Sequence, residues 1–238
     1  MSDAAPILIP AEKREKPQKR RLFSRGFVYC VLGIFVLFLI AIAPSGGLRQ
    51  ARHNAAMHQA HQIGQCMFAY STDNNGAYPD GNSSTAVFQK LIDGGYVTDP
   101  AIFYVPLRGK VKAVGGQKLK PENVCWDVTS GVDSSSSDLV PLVFMTGYRI
   151  TYAPGGSALS VIKPYPPFWR EPRTWSEWWN GAPDPDSGPS GIAICYKGNN
   201  AVFIRLGPDN TVQAIVSPDF KPDGKTYRQL TPDGPLAQ

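Results

Sequence analysis

Residues 48–70 read LRQARHNAAMHQAHQIGQCMFAY, and STDNNGAYPDG carries the chain on to Gly81. The first stretch is rich in Ala and Gln, holds no Pro and a single Gly, and so has strong helix-forming composition. Ala56, Ile63, Met67 and Tyr70 recur at spacings of seven, four and three, which predicts an apolar stripe on a polar helix over residues 48–72. Such a stripe needs a partner surface. Asp73-Asn74-Asn75-Gly76 supplies the stop, because Asn and Gly tolerate left-handed backbone.

Upstream, Pro44-Ser45-Gly46-Gly47 predicts a break, since Pro and Gly are the poorest residues in a helix interior. Before it, Phe27 to Ala43 reads FVYCVLGIFVLFLIAIA, 17 residues without a charge. At about 1.5 Å per residue this predicts a short transmembrane helix over 27–43. Residues 1–26 hold seven Lys or Arg against three acids, a net +4 of the chain's total of +5. That basic leader places the N-terminus in the cytoplasm and exports everything after the span. Ala41-Ile42-Ala43 also matches a signal-peptidase site, but the apolar run is longer than a cleaved signal needs and Pro44 would follow the cut.

With the leader set aside, the folded part is close to neutral and has no Lys/Arg run interleaved with aromatics. No nucleic-acid partner is expected. The 22 Pro and 23 Gly predict many turns. Thr85 to Asp93 reads as a short helix closed by Gly94-Gly95, and Ala101 to Leu107 as extended or strand-like. Leu139 to Phe144 and Tyr148 to Tyr152 read as a hairpin or adjoining strands. Gly191 to Tyr196, Ala201 to Leu206 and Val212 to Val216, joined by tight turns, read as an antiparallel meander. Residues 219–238 are polar and Pro-containing and predict a loose tail.

The chemistry-bearing motifs are absent: there is no GxSxG, HExxH, Walker A or GxGxxG. No catalytic residues, metal site or cofactor are expected. His53, His58 and His61 lie within nine residues of one helix, but no Asp or Glu falls between Leu48 and Tyr70, so they read as a solvated face. Cys66, Cys125 and Cys195 form no CxxC; either two of them pair and one stays free, or all three are small buried apolar side chains. Asp133, Asp138, Asp184, Asp186 and Asp209 read as turn residues, and Ser134 to Ser137 as a flexible loop. Residues 163–189 hold four of the five tryptophans and seven prolines. That density makes Trp169, Trp175, Trp178 and Trp179 either a recognition surface or a cover for an open sheet edge.

Gly26-Phe27 ahead of an apolar helix, then a polar helix ending in IGQCMFAYSTDNNGAYPDG, resembles type IV pilin-like proteins, particularly the major-pseudopilin type of bacterial type II secretion. The likeness covers roughly residues 20–107 and is most specific at Gln62-Ile63-Gly64-Gln65 and from Tyr70 to Pro79. Asn200 to Ile204, continuing to Val212, also looks like the family's C-terminal hairpin. The resemblance implies an α+β fold, a long N-terminal helix packed on a small antiparallel β-sheet with long loops. Taken with the residue readings, the chain divides into a basic leader 1–26, a transmembrane helix 27–43, an exported helix 48–72, a domain 73–218, pilin-like by the resemblance, with the insertion 163–189, and a loose tail 219–238. The resemblance further implies cleavage between Gly26 and Phe27 by a prepilin-type peptidase, and a single-pass inner-membrane protein with a periplasmic domain. Other pilin-like subunits or secretion-apparatus proteins would be its partners, with no catalysis. One departure is chemical: Val31 stands where the family usually has a Glu. That removes a carboxylate thought to meet a neighbour's N-terminal amine, which fits a tip-type minor subunit or a monomeric anchor. The alternative expectation is a membrane-tethered periplasmic binding domain that uses the Trp-rich loop.

Overall fold

The computed structural model describes Gly26, Tyr29 and residues 31–36, 45–107, 109–157, 159–160, 191–205 and 214–235. The chain divides into two compact units, Met1–Ser45 and Gly46–Gln238. In the first, Gly26, Tyr29 and residues 31–36 are helical, and the apolar side chains of Tyr29, Val31, Leu32, Ile34, Phe35 and Val36 are exposed. Most of the predicted 27–43 span lies outside the described residues. Among the described residues no helix is long and apolar enough to cross a membrane.

The second unit is α+β. Helix α1 spans Ser45–Asp73 and so starts three residues before the expected restart. The predicted break at Gly46-Gly47 is corrected: both glycines lie in the first helical turn, where amides lack intrahelical partners in any case. Pro44 stands immediately ahead of that turn, a position where a missing N–H costs little. The other end follows the sequence. Gly76 N–H donates to the Ser71 carbonyl at 2.8 Å, while Asn75 (φ 54°) and Gly76 (φ 81°) turn the chain through left-handed backbone.

Ala56, Ala60, Ile63 and Met67 are fully buried, so one stripe of α1 enters the core. Tyr70, expected in that stripe, is half-buried and meets Tyr96 edge-on at 5.4 Å between ring centroids. Helix α2 spans Ser84–Asp93. Its N-terminus is capped by Ser83 Oγ, which accepts from Ala86 N–H at 3.1 Å. Its Phe88 stacks on Phe103 at 4.4 Å.

The main sheet has six antiparallel strands: β1 (Trp126–Ser130), β2 (Pro141–Met145), β5 (Gly191–Tyr196), β6 (Ala201–Arg205), β7 (Arg228–Thr231) and β8 (Gly234–Pro235), in the order β6-β5-β2-β1-β7-β8. A separate ribbon pairs β3 (Tyr148–Arg149) with β4 (Leu159–Ser160). β5 and β6 form the expected hairpin, with Ala193 opposite Phe203. Three expectations are corrected. Residues 101–103 belong to a 3-10 turn, Pro100–Phe103, favoured by Pro at its start and by Asp99, whose carboxylate accepts from Ala101 N–H at 2.9 Å; Tyr104 after it is extended, as one of the two readings had it, but 104–107 pair in no strand. Of the two readings for 139–152 the hairpin is corrected: β2 and β3 are two strands adjoining in the chain, but Gly147 (φ 100°) lies between them and β3 pairs with β4 instead of β2. Residues 214–216 form no strand, and 211–213 lie outside the described residues.

The supposed tail departs furthest from expectation. β7 pairs with β1, setting Leu230 opposite Val128, and Phe220, Tyr227 and Leu230 are buried. Thr85 Oγ1 donates to the Pro232 carbonyl at 2.9 Å and ties α2 to this segment. Polar composition hid a strand that lies between β1 and the edge strand β8.

Candidate functional site

Three features of the second unit have the concentration of polar groups that a site needs. The first is an open cleft of about 790 Å³ beside α1. Gln59, Gln62, Gln65, Cys66 and Ala69 of α1 form one wall, and residues 96–106 with Lys112 form the other. The Gln spacing of three puts these amides along one side of the helix. Gln59 Nε2 donates to the Tyr104 carbonyl at 3.2 Å, and Tyr96 OH donates to Asp73 at 2.9 Å, so both walls are tied together. Burial pushes the half-buried Cys66 thiol above its ordinary pKa, keeping it protonated at neutral pH. The cleft therefore offers hydrogen-bonding amides and hydroxyls, not an activated nucleophile.

The second feature is the seat of α1 on the sheet. Gly64 lies against Cys195 of β5 so closely that a Cβ at Gly64 would come within 2.5 Å of the Cys195 sulfur. Only Gly allows that approach. His53 stacks on Phe203 of β6 at 4.1 Å, near-parallel at 15°, while His58 is exposed and His61 half-buried. Cys66, Cys125 and Cys195 are all free thiols, the last two buried. Burial raises Cys125 to about 11 and Cys195 to about 12. Of the two alternatives for the cysteines, the unpaired one describes the fold, although Cys66 is only half-buried.

The third feature is a carboxylic acid in the core. Asp127 on β1 is fully buried. Its Oδ2 accepts from Gln229 Nε2 at 2.6 Å, and its Oδ1 has no hydrogen-bond partner among the described residues. Gln229 also donates to the Tyr148 carbonyl and accepts from Ile150 N–H at 3.0 Å, linking β7 to the chain around β3. Burial raises the Asp127 carboxyl from 3.8 to about 7. A neutral carboxylic acid is the form this position accommodates.

Asp133 and Asp138 do act as turn residues, with added ion pairs. Asp133 accepts from the backbone N–H of Ser135 and Ser136 at 2.8 and 3.1 Å and pairs with Lys225; Asp138 pairs with Lys197 at 2.8 Å. The Ser134–Ser137 stretch is correspondingly a defined turn, with Ser136 buried. Asp184, Asp186 and Asp209 lie outside the described residues. Among the described residues no group of three or more His, Cys, Asp or Glu is placed to hold a metal.

Of the expected site residues, Gly26 is helical and exposed, whereas Phe27, Trp169, Trp175, Trp178 and Trp179 lie outside the described residues. Residues 163–189 fall between β4 and β5 in the chain and lie outside the described residues; at the start of β5, Tyr148 OH donates to the Gly191 carbonyl at 3.2 Å. Neither the cleft nor the Asp127 cluster was anticipated. The cleft joins segments some thirty residues or more apart, and Asp127 is joined to Gln229 across 102 residues, distances over which no local pattern runs. No known protein family, characterised protein or solved structure matches this chain.

Proposed function

We propose that the chain is a non-catalytic, pilin-like (pseudopilin) subunit of a type II secretion or type IV pilus-like apparatus. On this reading residues 27–43 anchor it in a bacterial inner membrane and the second unit stands in the periplasm. The observation that carries the reading is the seating of α1, through Ala56, Ala60, Ile63 and Met67, in the core of a domain built on an antiparallel sheet. An exposed apolar helical stretch lies upstream of it, behind Gly26. A polar helix with one buried stripe, preceded in the sequence by an uncharged segment, has two environments to satisfy: protein for the stripe, and lipid or neighbouring helices for the uncharged segment. Val31 leaves the apolar segment without a carboxylate, so a capping subunit or a fixed anchor fits better than a repeating fibre subunit. Partners are then other pilin-like subunits or secretion-apparatus proteins, with a prepilin-type peptidase acting between Gly26 and Phe27.

N-terminal sequencing of the mature protein from bacterial membranes tests this directly. A start at Phe27 supports a processed subunit, and a start at Met1 or Ser2 a permanent anchor. A start at Pro44 removes the anchor and the proposal with it.

A second reading, a membrane-tethered binding domain, is favoured by the open cleft beside α1. Replacing Trp175, Trp178 and Trp179 with Ala tests the version that relies on the Trp-rich insertion: partner capture is lost while the thermal transition is retained. A collapsed transition would make those rings part of the core instead.

A further inference from the structure

The near-neutral total of the folded part conceals one local concentration of charge. Residues 108–122 hold Arg108, Lys110, Lys112, Lys118 and Lys120 against the single acid Glu122. The chain leaves the core at the buried Leu107 and re-enters it at the buried Leu119. Between them it forms a largely exposed loop that is held in shape. Val111 N–H donates to the Glu122 carbonyl at 2.9 Å, Asn123 Nδ2 donates to the Val111 carbonyl at 3.0 Å, and Leu119 N–H donates to Gln89 Oε1 at 2.8 Å. The tip turns at Gly115-Gly116, where Gly116 has φ 79° and Gln117 N–H donates to the Val114 carbonyl at 3.3 Å.

This loop presents an unusual pair of features together. Lys112, Lys118 and Lys120 are exposed, and between them Val111 and Val114 are 59% and 62% exposed, among the most exposed large apolar side chains of the second unit. Lys120 lies 3.8 Å from Glu122, whereas Lys112 and Lys118 have no ion-pair partner among the described residues. A loop already ordered by its own hydrogen bonds loses little entropy on docking.

We propose that the 110–120 loop is a docking surface for an anionic lipid bilayer, with the lysines at the headgroups and Val111 and Val114 at the headgroup–acyl boundary. Charge complementarity selects anionic headgroups. The choice of lipid over nucleic acid follows from the tip, which carries the branched aliphatics Val111 and Val114 and no ring on which a base could stack. Aliphatic tips flanked by lysines suit an interface that is charged above and apolar below. The inference does not rest on the pilin-like reading, since it concerns only the second unit's own surface.

The test uses the full chain on nanodiscs of neutral phosphatidylcholine alone, or of phosphatidylcholine mixed with phosphatidylglycerol. Amine acylation is followed residue by residue by mass spectrometry. On anionic discs Lys112, Lys118 and Lys120 are each expected to react about fivefold more slowly than on neutral discs. Raising salt to about 0.5 M should erase the difference. Lys221, exposed on another loop, is expected to react equally on both. In V111S/V114S the protection should weaken, and in K112E/K120E the remaining protection of Lys118 should vanish. Equal rates on the two discs, or an equal slowing at Lys221, overturns the proposal. Protection by duplex DNA with none on anionic discs puts nucleic acid in place of lipid and overturns it too. Retention on neutral discs reports the anchor alone, so the anchor and the loop fail separately.

Discussion

Replacing Asp127 with Asn tests the reading of the core most directly. In the folded chain burial holds the Asp127 carboxyl at about 7, against an ordinary value of 3.8. Between those two values the folded chain retains a proton that the unfolded chain has released, so raising the pH through this window favours unfolding. A difference of about three pH units corresponds to about 4 kcal/mol, lost progressively from about pH 4 to about pH 7 and constant above it. Asn keeps the side chain's size and its acceptor for Gln229 Nε2 but cannot ionise. The variant should match the parent near pH 4 and exceed it at pH 8, where the gain corresponds to about 10 °C in the thermal midpoint for a domain of this size. Thermal unfolding followed by circular dichroism at half-unit pH steps measures both curves. Parallel curves from pH 4 to pH 8 would refute a buried, neutral Asp127.

Other perturbations probe different contacts. Gly64→Ala should destabilise the domain by about 1–3 kcal/mol through overpacking against Cys195, and adding Cys195→Ala should recover part of that loss by removing the opposing sulfur; additive losses in denaturant titrations would contradict the contact. Pairing with Lys225 holds the Asp133 carboxyl well below the usual carboxylate range, so its contribution is present above pH 3.8 and disappears as acid protonates it in the folded state. Because both partners are partly exposed, Asp133→Asn should cost under about 1 kcal/mol at neutral pH, with the gap to the parent closing in strong acid. Among the three thiols of the second unit, Cys66 should be alkylated by iodoacetamide at least about tenfold faster than Cys125 and Cys195, whose burial limits both access and ionisation. Equal labelling by mass spectrometry would show that α1 opens readily from the sheet.

Local chemistry carried a large share of the architecture. The stripe Ala56, Ile63, Met67 required a partner for α1, and Asn75-Gly76 ended the helix because few other residues adopt positive φ at low cost. The β5–β6 hairpin was legible from two β-rich runs around a four-residue polar turn. β1 was not legible: all five of its residues, including Asp127 and Thr129, are buried, so the alternation that marks a half-exposed strand is missing. β7 was hidden by its composition. Arg228 and Gln229 look like a polar tail until Gln229 meets Asp127 and the Tyr148 carbonyl.

The sequence by itself determined the segregation of charge into residues 1–26, the uncharged stretch after Gly26, the polar helix with one buried stripe and the clustering of tryptophan in 163–189. These follow from composition and spacing along a few turns of chain. Tertiary structure alone decided that the C-terminal segment completes the sheet and that Gly64 receives Cys195. It also decided that Asp127 is buried beside Gln229 and that Val111 and Val114 stay exposed on the loop that carries the clustered lysines of 110–120. The physical reason is the same in each case. Burial, desolvation and charge proximity belong to residues that are neighbours in space, and most of those neighbours are far apart along the chain.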